Sequence, residues 1–123
     1  MIKYKSLNKS EQFTKILRRK KLNTKYFTIY FGKNLDNKKE NNDKYLNISF
    51  VIKKKIGKAI IRNRIKRKLK AAIQKTLHEE RPIDLNYTYI IFGKNNVYRD
   101  KFSMIFDEVS NVFKKIKQMV GKT

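Results

Sequence analysis

Residues 53–73 read KKKIGKAIIRNRIKRKLKAAI. From Lys58 onward apolar residues return at Ile61, Ile65, Leu69, Ala72, Ile73 and then Leu77, the spacing of an amphipathic helix of about five turns. At about 100° per residue, Ile61, Ile65, Leu69 and Ala72 fall within about 80° of arc, while Asn63, Arg64, Lys66, Arg67 and Lys70 spread over the opposite side. One face is built to dock on a core, and the other is a cationic ridge. The helix is expected to end before Pro82, because the residue preceding a proline is biased out of the helical region.

The flanking segments supply a sheet and two further helices. Residues 8–20 read as a short helix, with Asn8 as N-cap, Glu11 three residues later, and Phe13, Ile16 and Leu17 on one side. Tyr26 to Phe31 alternates strictly, with Phe27, Ile29 and Phe31 on one face and Tyr26, Thr28 and Tyr30 on the other, which predicts a strand. Asn34 to Lys44 is a polar loop, and a second strand covers Tyr45 to Ile52. Asn86 to Phe92 is apolar on both faces, as a central strand is. A last helix runs from Arg99 to Val120 and stops at Gly121, with Phe102, Ile105, Phe106, Val109, Val112, Phe113 and Ile116 in helical register.

The order α-β-β-α-β-α, with room for one extra short strand, predicts an α+β sandwich: one sheet, helices over one face, and a single domain spanning residues 1–123. The other sheet face, or the cleft beside the first helix, then stays open for a ligand.

Charge narrows the choice of ligand. The chain has 123 residues, with 32 Lys plus Arg against 10 Asp plus Glu, a net +22. So dense a charge repels itself in the folded state, and a polyanion is its natural counterpart. Lysine excess also follows from A/T-rich coding, so position matters more than total. From Lys44 to His78 there is no acidic residue, and residues 53–75 hold 11 basic residues. Like charges four apart, such as Lys66 and Lys70, destabilise a helix unless an external anion compensates. Guanidinium forks match phosphate oxygens bidentately, which favours Arg62, Arg64 and Arg67 as backbone contacts. The basic run Lys53-Lys54-Lys55-Ile56-Gly57-Lys58 leads onto the helix N-terminus, whose free N–H groups also favour an anion. Its spacing is not that of a phosphate-binding P-loop.

Other classes drop out. With no cysteine there is no disulfide framework, thiolate metal site or zinc finger. No apolar run of signal-peptide or membrane-span length is present, so the protein is expected in the cytoplasm and off the membrane. His78 is the only histidine and lies at a helix end, and Glu79-Glu80 and Asp107-Glu108 sit at or on helices facing different ways. No protein-borne acid–base pair or two-metal nuclease site, and no catalytic residue, is therefore expected.

Residues 53–73 resemble the signature of the bacterial ribonuclease P protein family, a KK-x-G-x-A-x-x-RNR-x-KR core. The matching residues are Lys54, Lys55, Gly57, Ala59, Arg62, Asn63, Arg64, Lys66 and Arg67. The likeness extends to the Phe13 helix, the strand holding Tyr26 to Tyr30, the third strand and the C-terminal helix. It implies a left-handed βαβ crossover, contrary to the usual handedness. It also implies a subunit of a ribonucleoprotein endonuclease that removes the 5′ leader of precursor tRNA, with cleavage by the RNA subunit and the Mg²⁺ that RNA binds. By the same resemblance Lys54, Lys55, Lys58, Arg62, Asn63, Arg64, Lys66, Arg67 and Lys70 contact the catalytic RNA. Phe13, Leu17 and Tyr30 line the leader cleft, and the protein acts as a monomer bound one to one to its RNA. Family members usually carry Gly where Ser49 stands, Ser or Pro in place of Lys53, and an aromatic in place of Leu17.

The residues themselves agree in part. Tyr26, Thr28 and Tyr30 on one strand face would offer rings on which single-stranded bases stack without sequence demand. Charge and size alone also fit a ribosomal-type structural RNA-binding protein. A nucleoid-type DNA-binding protein has no helix-turn-helix or ribbon-arm pattern behind it.

Overall fold

The structure is a computed structural model and describes residues 3–5, 10–33, 45–79 and 83–120. In chain order the elements are β1 (Lys3–Lys5), α1 (Ser10–Leu17), β2 (Lys20–Asn23), β3 (Phe27–Lys33), β4 (Tyr45–Val51), a 3₁₀ turn (Lys54–Ile56), α2 (Ala59–His78), β5 (Tyr87–Gly93), α3 (Asn96–Arg99) and α4 (Phe102–Val120). The expected loop at 34–44, Asn8, Pro82 and Gly121 lie outside the described residues.

One five-stranded sheet runs β1-β4-β5-β3-β2. β4 is parallel to β1 and β5, while β3 is antiparallel to β5 and β2. Register sorts the side chains into two sets. Ile48 lies opposite Tyr89, Tyr89 opposite Phe31, and Ile91 opposite Ile29, so these share one face. That face packs on Ile65, Leu69, Ala72 and Ile73 of α2 and on Ile105, Val109, Val112 and Phe113 of α4, all buried. The period-3.6 spacing of both helices and the period-2 spacing of the strands thus converge on one core. Gly93, at the end of β5, lets α2 approach closely. A Cβ there would stand 2.6 Å from Ile52 Cδ1 and 2.9 Å from Leu69 Cδ1.

Four expectations need correction. Helices do not cover one face only: α1 packs against β2, β3 and β5 on the opposite face. There Ile16 and Ile90 are fully buried outside the main core, and a Cβ on Gly32 would meet Arg19 Cγ at 2.7 Å and Ile16 Cδ1 at 3.3 Å. The first helix stops at Leu17, and its expected end is partly strand, Lys20–Asn23 pairing with β3; with β1 this makes two extra strands rather than one. The last helix starts at Phe102 rather than Arg99, and Arg99 instead closes a separate single turn, α3. Lys68 Nζ donates to the carbonyls of Val97 (3.0 Å) and Asp100 (2.7 Å), satisfying the α3 C-terminus at the break.

Tyr26 is the fourth correction. It is 2% exposed and belongs to the core, not to the Tyr30 face. Thr24 Oγ1 accepts the N–H of both Tyr26 (3.2 Å) and Phe27 (3.0 Å), so the chain is still turning at Tyr26 and strand alternation begins one residue later. Its hydroxyl donates to Asp100 Oδ2 at 2.5 Å. That bond, with burial and the negative charges of Asp100 and Glu108, pushes the phenol up to about 12. Tyr89, buried and donating to the Asp84 carbonyl at 2.7 Å, is also raised, chiefly by burial.

Candidate nucleic-acid interface

Two surfaces hold the residues singled out by sequence, and the segment entering α2 joins them. On α2, burial of Ile65, Leu69, Ala72, Ile73 and Thr76 turns the opposite side outward, so Asn63, Arg64, Lys66, Arg67 and Lys70 are exposed. Lys54 and Lys55 are exposed on the 3₁₀ turn, and Lys58 stands exposed at the helix N-cap with no side-chain capping bond. First-turn N–H groups there remain suited to an anion.

Arg62 behaves differently from its neighbours. It is half-buried, and its Nε donates to the Gly57 carbonyl at 3.1 Å. Part of its hydrogen-bonding capacity therefore holds the turn onto α2. Lys68 likewise points to α3 rather than outward. The ridge is thus narrower than the basic count suggests.

The second surface lies on the sheet face that α1 partly covers. Tyr30 and Phe92 meet edge to face there, with ring centroids 5.5 Å apart at 71°. Lys21 Nζ lies 6.0 Å from the Tyr30 centroid, and Lys53 Nζ 5.8 Å from that of Phe92. Leu17, half-buried at the end of α1, and Phe13, also on α1 but with its side chain outside those described, belong to the element beside this face. A groove of rings flanked by ammonium groups can stack a base and neutralise its phosphate.

Tyr30 is singled out by the sequence, but its neighbour Phe92 is not. Alternation along 86–92 puts Phe92 on the face of Ile90 and Thr88, and only the cross-strand register, Thr28 opposite Phe92 and Tyr30 opposite Ile90, brings it beside Tyr30. Lys21 was missed because its segment reads as the end of a helix. Among the described residues no three His, Asp or Glu side chains group so as to hold a metal ion, and no helix is long and apolar enough to cross a membrane.

Comparison with known proteins gives the family and the fold. The ribonuclease P sequence model matches residues 1–117. The ribonuclease P protein component of Carboxydothermus hydrogenoformans is 31% identical over 121 residues, covering 98% of this chain and 97% of that protein. In fold, the chain is similar to the RNase P protein of Thermotoga maritima, with a TM-score of 0.69, 22% identity and coverage of 90% and 96% of the two chains. It is equally similar to that of Staphylococcus aureus, with a TM-score of 0.69, 20% identity and coverage of 91% and 94%. A match over nearly the whole chain places this chain in the ribonuclease P protein family.

Proposed function

We propose that this chain, acting as one domain over residues 1–123, is the protein subunit of ribonuclease P and assists removal of the 5′ leader from precursor tRNA. The observation that carries the reading is the acid-free outward face of α2, exposed at Asn63, Arg64, Lys66, Arg67 and Lys70 and linked through Lys53 to an aromatic groove. The two surfaces suit two RNA segments at once. In this reading α2 and its approach, Lys54, Lys55, Lys58 and the outward residues, bind phosphates of the catalytic RNA, while Arg62 shares its guanidinium between RNA and the Gly57 turn. Phe13, Leu17, Tyr30 and Phe92 receive the leader.

The protein's contribution is electrostatic and positional. Phosphates of two RNAs brought together repel, and cations fixed between them lower that repulsion without a proton transfer. The hydrolytic chemistry and its Mg²⁺ belong to the RNA subunit in this reading.

The test is cleavage of a precursor tRNA by a ribonuclease P RNA at low Mg²⁺, with this protein, without it, and with an unrelated protein of equal charge. Stimulation well above the basic control is expected. Stimulation no better than the control would mean the charge acts generically and would overturn the assignment.

A further inference from the structure

Among the described residues three large apolar side chains stand in the open: Ile60, Tyr98 and Met104. Two of them flank one cation. Ile60 lies one turn before Arg64 on α2 and is therefore its neighbour on the helix surface. The guanidinium carbon of Arg64 is 6.0 Å from the centre of the Tyr98 ring. Ile60 is 67% exposed and Tyr98 39%. Lys68, a further turn along α2, donates to the Val97 and Asp100 carbonyls on either side of Tyr98, which fixes α3 against α2 and the ring at the edge of the cationic ridge. Tyr98 is thus remote from Arg62, Asn63 and Arg64 in sequence but joins their surface in space.

We propose that Ile60, Arg64 and Tyr98 form a stacking site for one unpaired base of the partner RNA, with Tyr98 supplying the ring face, Arg64 the cation and Ile60 an apolar edge. The inference deepens the functional reading above and rests on RNA being the partner. Charge selects that partner over an apolar protein surface: the chain carries +22, α2 has no acidic residue, and the nearby Asp100 carboxylate already accepts the Tyr26 hydroxyl and pairs with Lys25. A paired base hides both faces in its helix, so the base must be unpaired. Stacking on an aromatic ring tolerates any base, so the site adds affinity without demanding a sequence.

The test measures binding of the full chain to its cognate ribonuclease P RNA transcript across a salt series. Tyr98→Leu keeps apolar bulk but removes the ring, and should bind about tenfold more weakly at every salt concentration, with the slope of affinity against salt unchanged because no charge is lost. Tyr98→Phe keeps the ring and should restore affinity. On the wild-type protein, tetranitromethane should nitrate Tyr98 when the protein is free and spare it when RNA is bound, read by mass on the tryptic peptide Asn95–Arg99.

Four results would overturn the proposal, three of them read on RNA binding. These are a Tyr98→Leu affinity equal to wild type, a reduced salt slope showing that the ring merely positions Arg64, or equal nitration with and without RNA. Loss of self-association in Tyr98→Leu with RNA affinity intact would assign the patch to protein contact and overturn it too. A wild-type protein that stimulates cleavage yet leaves Tyr98 unprotected defeats this inference alone. One that protects Tyr98 on the transcript but fails to stimulate cleavage defeats the functional reading alone.

Discussion

Lys53 holds its ammonium 5.8 Å from the centre of the Phe92 ring. Lys53 immediately precedes the 3₁₀ turn that leads into α2, and Phe92 lies in β5 on the sheet face away from the α2–α4 core. The basic segment therefore begins over the groove and ends on the outward side of α2. A cation over a ring at the surface, here the half-buried Phe92, contributes about 0.5–1 kcal/mol, enough to orient the ammonium but not to occupy it fully. Its remaining hydrogens are free to meet a phosphate.

Lys53→Ser tests that link. The substitution replaces the ammonium by a small neutral group, and it should lower affinity for leader-bearing precursor tRNA while reducing the salt slope of that binding by about one unit. Assembly with the catalytic RNA should change less. Equal loss in both titrations would place Lys53 on the α2 surface rather than in the groove.

Tyr30→Ala removes one ring of the edge-to-face pair with Phe92. Stacking on such a ring is worth about 1–3 kcal/mol per base, so the preference for precursor over mature tRNA should fall by about tenfold or more, with RNA-subunit assembly retained. Phe92→Ala should reproduce the loss. Filter binding with both tRNA forms checks this, and a variant that keeps its preference would remove the groove from leader binding.

The arginines of α2 should separate into two behaviours. Arg64 and Arg67 are exposed, so Arg64→Ala and Arg67→Ala should each lower the salt slope of RNA association by about one unit and leave thermal unfolding nearly unchanged. Arg62→Ala loses the bond from its Nε to the Gly57 carbonyl and should also cost about 1–2 kcal/mol of stability. If all three unfold alike, the distinction between ridge and turn is wrong.

Most of this architecture is legible in the sequence because two periodicities point to one core. The periodic apolar residues of α2 and α4 recur at helical spacing, and Phe27, Ile29 and Phe31 at strand spacing; most of them are buried in one core, with Ile61, Leu77 and Phe102 half-buried against it. What stayed hidden is tertiary. The chain at Tyr26 alternates as a strand does, but two backbone bonds to Thr24 Oγ1 turn it inward. α3 is a single turn whose C-terminus is satisfied by Lys68 from another helix, a partner that no local pattern announces. The pairing of Tyr30 with Phe92 depends on register across strands about sixty residues apart, which periodicity alone does not fix.

Gly93→Ala should show how closely α2 rests on the sheet. The new methyl would lie 2.6 Å from Ile52 Cδ1, 2.9 Å from Leu69 Cδ1 and 3.1 Å from Ile65 Cγ2, three branched side chains with little freedom to retreat together. Overpacking of this kind costs about 1–3 kcal/mol. A lowered unfolding midpoint in urea is expected, with RNA-binding salt slope unchanged. An unaltered midpoint would mean that α2 can shift outward without loss.

Alkaline pH should destabilise the fold through Tyr26 and Tyr89. Tyr26 is pushed up to about 12 by its bond to Asp100 and by burial, and Tyr89 is raised chiefly by burial. In both cases the folded state holds the phenol proton more tightly than the unfolded chain, whose tyrosines titrate near an ordinary value of about 10. The stabilisation is therefore complete below about pH 10 and is lost as pH rises toward the folded-state values. Phenolate absorbance should show Tyr26 and Tyr89 titrating late, and Tyr26→Phe should remove one late component and flatten the fall of unfolding temperature above pH 10. Tyr26→Phe also strands the Asp100 carboxylate without its hydroxyl partner, so its stability near neutrality should drop even as its alkaline sensitivity lessens. Ordinary titration of every tyrosine in the folded protein would contradict the buried bond between Tyr26 and Asp100.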